Sequence, residues 1–122
     1  MLKRENRLKA KSAFIATYNN NLVVYDKNIV LYAGKIKTDE VRPTRVGFVV
    51  SKKYSKRAVK RNRIKRLMRE NIRLMLKDGK YPILNKFQSL IFMAKNEVLD
   101  SNFEEIRNTI VILLDKLAIK NI

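Results

Sequence analysis

One segment limits the architectures open to this chain more than any other: Arg45 to Glu70, RVGFVVSKKYSKRAVKRNRIKRLMRE. A β-branched apolar run with strand character passes directly into a helix-forming stretch crowded with cations. From Lys52 to Arg73 there are eleven Lys or Arg and a single acid, Glu70. Charges of one sign at that density repel each other. A solvated helix face on an ordinary domain intersperses acids among its bases, and this one does not. The pattern makes sense if a polyanion neutralises it, and nucleic acid is the commonest polyanion in a cell.

The remaining composition sharpens that reading. With 122 residues and 46% hydrophobic content, the chain has enough apolar material for one domain with one core. The formal charge of +17 predicts strong, salt-sensitive binding to phosphate backbones. Cysteine and histidine are both absent. That removes disulfides, ordinary zinc sites, the Ser-His-Asp triad and Cys-His pairs. The acids are scattered, and only Asp39-Glu40 and Glu104-Glu105 are adjacent. Neither pair resembles the converging carboxylates of a two-metal nuclease. Three glycines leave no Gly-rich phosphate loop. No catalytic residue is assigned, and any catalysis is expected to be carried by another molecule.

Along the chain, residues 1–11 are basic without an apolar period and read as a flexible extended arm. Ser12 is the expected N-cap of a short helix reaching Asn19, with Phe14 and Tyr18 on one face. Leu22–Tyr25 and Asn28–Ile36 read as strands, followed by a polar loop from Lys37 to Thr44. Arg45–Ser51 is a third strand, apolar enough to be expected at the centre of a sheet. A long helix is predicted from about Lys56 to Lys77. Its apolar stripe is Ile64, Leu67, Met68, Ile72 and Met75, with Arg66, Arg69 and Arg73 opposite and Arg61, Arg63 and Lys65 at the flanks. Asp78-Gly79 ends it. Ser89–Ala94 is the fourth strand. Ser101 with Glu104 fits a capping box for a last helix whose stripe is Phe103, Ile106, Ile110, Leu113, Leu114 and Leu117.

The order helix-strand-strand-strand-helix-strand-helix gives an α+β two-layer sandwich containing a β-α-β crossover. Right-handedness is the general expectation for such a crossover. No run approaches the roughly 20 apolar residues of a membrane span, and the start lacks the apolar stretch of a signal peptide. The chain is expected in the cytoplasm, without a membrane partner.

The basic helix also carries a resemblance. RNRIKRLMRE, Arg61 to Glu70, resembles the signature helix of the bacterial ribonuclease P protein component. RVGFVVSKK, NRLKAKSAFIATY (Asn6 to Tyr18) and, more weakly, IVLY (Ile29 to Tyr32) are similar to the same family in the same order. The resemblance covers most of residues 4–73. It implies an accessory subunit of a ribonucleoprotein endonuclease, a hydrolase that removes 5′ leaders from precursor tRNA. The catalytic centre and its magnesium would belong to the large RNA, with none bound by this chain alone. The resemblance also implies a left-handed crossover, against the general expectation. It places Lys56, Arg57, Lys60, Arg61, Asn62, Arg63, Lys65, Arg66 and Arg69 against the catalytic RNA. Phe14, Tyr18 and Tyr32, with Lys52 and Lys53, would line a cleft for the single-stranded leader. There are two departures from the family pattern: many relatives have phenylalanine at Tyr18, and glycine in the turn occupied by Tyr54 and Ser55.

Taken alone, an i, i+4 aromatic pair such as Phe14 and Tyr18 is more often core packing than a stacking platform. Two other basic classes share much of this profile. A ribosomal RNA-binding structural protein matches the charge and size, but gives no reason for aromatics before the first strand. A DNA-binding regulator places its reading helix in a compact helical motif, and strands flank this one. The expected partners are the ribonuclease P RNA and the precursor tRNA leader, and not DNA.

Overall fold

The computed structural model describes residues 2–38, 42–50, 58–95 and 101–120. Three α-helices, α1 (Lys11–Asn19), α2 (Ala58–Asp78) and α3 (Phe103–Lys120), accompany four strands. The strands are β1 (Leu22–Asp26), β2 (Ile29–Ala33), β3 (Arg45–Val50) and β4 (Ser89–Ala94). The sheet order is β1-β2-β4-β3. β1 and β4 each pair antiparallel with β2, and β3 pairs parallel with β4. A parallel pair needs a crossover, and α2 lies on it. The expected α+β sandwich with its β-α-β unit is therefore present.

Period-two alternation divides the sheet into two faces. Val24, Ile29, Leu31, Ala33, Val46, Val50, Leu90, Phe92 and Ala94 enter the main core. Ile64, Met68, Ile72 and Met75 of α2 meet them there, with Ile106, Ile110, Leu113, Leu114 and Leu117 of α3. Both helical stripes follow the prediction, except that Leu67 is half-buried at the margin and Phe103 is half-buried outside the core cluster. The core also takes Leu84 and Phe87, fully buried in and beside a 3-10 turn, Pro82–Asn85. The opposite face carries α1.

Several local expectations are corrected. β3 is an edge strand, not a central one. Its near-continuous apolar character has a different cause: its two faces are covered by different partners, α2 on one side and Phe14 on the other. Its outer edge is met at one point by the segment before α1, where the Leu8 amide donates to the Val46 carbonyl at 3.0 Å. That segment, expected as an extended arm, buries Leu2 and Leu8. Asn6 Nδ2 donates to the Thr44 carbonyl at 2.9 Å, and Thr44 Oγ1 to the Phe87 carbonyl at 2.7 Å. Ser12 does not cap α1; the N-cap is Ala10, with no side-chain bond. The second strand is shorter than expected, with Ile36 forming only an isolated bridge to Phe87. The capping box at α3 lies one residue later than predicted. Asn102 Oδ1 accepts from the Glu105 amide at 2.9 Å, and Glu105 Oε1 from the Asn102 amide at 3.1 Å. Asparagine accepts that bond as well as serine does.

Candidate nucleic-acid interface

The face opposite the main core is built from two cross-strand rows. Register sets Val23, Tyr32, Ile91 and Gly47 side by side, and Tyr25, Val30, Met93 and Val49 in the next row on that face. α1 is fastened over the first row. Thr17 Oγ1 and Ser89 Oγ share a hydrogen bond of 2.5 Å, and Asn20 Nδ2 donates to the Ala33 carbonyl at 3.1 Å. Phe14 and Tyr18, four residues apart, both turn toward the sheet as predicted. Tyr18 meets Tyr32 edge to face, with ring centroids 4.8 Å apart and planes at 81°. Phe14 rests on Gly47. All three rings are half-buried, so each keeps accessible surface. Beyond them the second row continues, with Met93 and Val49 half-exposed and Tyr25 70% exposed. The structure thus brings Tyr18 and Tyr32 into contact and sets Phe14 on the same face of the sheet. Burial raises the Tyr18 hydroxyl above the ordinary tyrosine value, and Tyr32 adds in the same direction. Tyr18 therefore stays neutral at physiological pH.

On the other side of β3 lies the basic helix. Asn62 and Arg66 are exposed, and Lys60, Arg61 and Lys65 are half-exposed. Arg63 and Arg69 have structural partners that the sequence did not indicate. Arg63 donates from Nη2 to the Ser101 carbonyl at 3.0 Å, joining α2 to the start of α3. Arg69, expected opposite the apolar stripe, instead reaches the sheet edge and lies over the Phe48 ring, 5.8 Å from its centroid. Phe48 in turn stacks on Phe92 at 6.0 Å. Arg73 is paired with Glu70 on its own helix. Lys52 and Lys53, expected to flank the cleft, and Lys56 and Arg57, expected to begin the RNA-binding set, lie outside the described residues.

Adjacent residues of β3 point to opposite faces, so Gly47 seats Phe14 while Phe48 receives Arg69. One edge strand thus ties the aromatic cleft to the basic helix. Gly47 was read only as a strand residue, yet an isolated glycine in an apolar strand is a sign of close approach. Thr17, Ser89 and Asn20, which hold α1 in place, had no such signal. Among the described residues, no three His, Cys, Asp or Glu side chains converge where a metal could bind. No helix among them is long and apolar enough to cross a membrane.

An aromatic-bearing sheet face and an arginine-rich helix on either side of one strand define a class: small, basic α+β sandwich proteins. Comparison with known proteins narrows it. The family model for ribonuclease P matches residues 2–118, and the chain belongs to the ribonuclease P protein family. It is 31% identical over 118 residues to the ribonuclease P protein component of Clostridium botulinum (strain Langeland), covering 97% of this chain and 99% of that one. The corresponding protein of Alkaliphilus oremlandii is 32% identical over 123 residues, covering 98% and 97%. The RNase P protein of Staphylococcus aureus superposes with a TM-score of 0.71 at 30% identity, covering 90% of this chain and 93% of that one. The protein from Thermotoga maritima, at 23% identity, shares the fold with a TM-score of 0.72, over 90% and 96% of the two chains.

Proposed function

We propose that this chain is the protein subunit of a ribonucleoprotein that matures the 5′ ends of tRNA. The α2 face binds the catalytic RNA, and the cleft beneath α1 binds the single-stranded 5′ leader of the precursor. One observation carries the reading: Phe14, Tyr18 and Tyr32 lie together on a partly open sheet face, directly across β3 from the basic helix. Aromatic surfaces stack on unpaired bases of any sequence, and flanking cations hold the phosphates. The exposed residues of α2 supply sequence-independent backbone contacts.

The chemistry is assigned to the RNA. This chain has no histidine or cysteine, and among its described residues no three His, Cys, Asp or Glu side chains converge. Magnesium would act where the RNA holds it, and this chain's side chains would take no part in the bond cleavage. The protein's part is to position the leader and to neutralise charge between two RNAs. That role suits a chain of net charge +17 working in the cytoplasm.

The experiment is reconstitution. Rigorously RNA-free protein should leave precursor tRNA intact, and adding the cognate large RNA with magnesium should give a single cut at the mature 5′ end. Site-specific cleavage by the protein alone would overturn the assignment. Co-purification with ribosomal RNA instead of one large structured RNA would favour a ribosomal role.

A further inference from the structure

The cleft and the basic helix meet at the outer edge of β3, in a pocket of about 310 Å³. That is the small end of the range for ligand cavities. Phe14 and Gly47 contribute to it from the α1 side, Phe48 and Arg69 from the α2 side, and Arg7 and Lys9 from the segment before α1. Its lining contains three cations and no acid. Arg7 is held in place by its Nε, which donates to the Leu2 carbonyl at 3.0 Å. Lys9 is exposed and lies outside every helix and strand.

The backbone adds polar recognition. The Val46 carbonyl accepts from the Leu8 amide, so it points off the sheet edge. Strand geometry repeats every two residues, so Phe48 turns its own amide and carbonyl toward that same edge. The pocket therefore combines the Phe14 ring as its aromatic wall, a backbone donor and acceptor, and cations at the rim. An unstacked nucleotide needs those three things: a flat surface for the ring, partners for its polar edge and positive charge for its phosphate.

We propose that this pocket takes one unpaired nucleotide of the leader, carrying the strand from the Phe14 side of the sheet round β3 toward α2. The proposal rests on the leader-binding reading and adds to it a single-nucleotide site with Arg7 and Lys9 as phosphate contacts. It also gives the leader one preferred register on an otherwise sequence-tolerant surface.

The test uses the reconstituted holoenzyme. Precursor tRNAs carry 2-aminopurine at one leader position at a time, and mature tRNA is the matched ligand without a leader. One leader position should change its fluorescence sharply on binding, with its neighbours changing little. Lys9→Glu should abolish that signal and weaken precursor binding by roughly 3–10-fold, the scale expected when an exposed charge contact is lost and its sign reversed, while mature tRNA binds as before. Lys9→Ala should fall between. If the unmodified holoenzyme prefers leader-bearing tRNA but no single position responds, or Lys9→Glu changes neither signal nor affinity, the pocket assignment is wrong and the leader reading stands. Equal losses for precursor and mature tRNA would place Lys9 against the RNA subunit and also overturn the proposal. An unmodified holoenzyme with no preference for leader-bearing tRNA would defeat the leader reading itself.

Discussion

The ring of Phe14 lies so close to Gly47 that a Cβ built at position 47 would stand 2.7 Å from Phe14 Cζ and 3.2 Å from Leu8 Cδ2. A methyl group there cannot be accommodated without moving the ring or the strand. Gly47→Ala should therefore destabilise the fold by about 1–3 kcal/mol, the usual cost of overpacking. Phe14 would also leave its place beside Tyr18 and Tyr32. Urea midpoints give the first effect, and the ratio of precursor to mature tRNA affinity gives the second. An unchanged ratio would mean that the seat of Phe14 does not matter to binding.

Phe14→Ala removes the ring and leaves the strand. If the ring stacks on a leader base, precursor binding should weaken by about 1–3 kcal/mol, with mature tRNA nearly unaffected. Equilibrium binding of both ligands at one stated salt concentration measures the difference. Equal losses for the two would make Phe14 a packing residue.

The basic helix should be tested at Arg61, Lys65 and Arg66. Arg63 is a poorer choice, because its bond to the Ser101 carbonyl makes its removal a structural change as well. For every phosphate that the helix no longer neutralises, the salt dependence of binding to the large RNA should fall by about one unit of slope. Arg61→Ala with Arg66→Ala should show this while circular dichroism stays native. An unaltered slope would remove α2 from the RNA interface.

At the start of α3, Asn102→Ala should cost about 1 kcal/mol, because Oδ1 is the acceptor for the Glu105 amide. Ser101→Ala should cost much less. Reversal of that order in denaturant titrations would restore the capping box to the position expected from sequence.

Tyr18 gives the fold an alkaline limit. Its hydroxyl is raised by burial and then by Tyr32. Above about pH 10 the unfolded chain loses a proton that the folded chain retains. The unfolded state then binds fewer protons, and stability falls as pH rises. Tyr18→Phe should remove that component, seen as a flatter dependence of the urea midpoint on alkaline pH. A slope equal to that of the unmodified protein would assign the effect elsewhere.

The elements that the sequence disclosed were those with a period. Ile64, Met68, Ile72 and Met75 announced the buried side of α2, and Ser89–Ala94 was placed to the residue. Phe14 and Tyr18 could be set on one face because four residues make about one helical turn. Features resting on single contacts between distant segments were hidden. Leu2 and Leu8 stand alone among charges, so nothing local marks them as buried. Leu84 and Phe87 sit in and beside a 3-10 turn, whose short length leaves no repeat to detect. Arg63 and Arg69 belong to a helix whose charge suggested RNA throughout, yet their partners, Ser101 and Phe48, are set by tertiary packing. The edge position of β3 was concealed for a related reason. Strand composition reports how well the faces are covered and says nothing about whether the edges are paired.

The sheet order also has a temporal side. β4 is the last strand to be synthesised, and it is inserted between β2 and β3. A nascent chain that has not yet reached Ser89 can form the β1–β2 hairpin, but it has no strand to join that hairpin to β3. The outer edge of β1 waits longer still. Its carbonyls at Tyr25 and Val23 are covered by the ammonium groups of Lys116 and Lys120, at 2.9 Å and 2.8 Å. During translation, the edges of β2 and β3 that face β4 therefore stay open to other chains until β4 emerges, and the outer edge of β1 until α3 does. The burden of keeping unfinished copies apart falls on the one property present from the first residues onward, their mutual electrostatic repulsion.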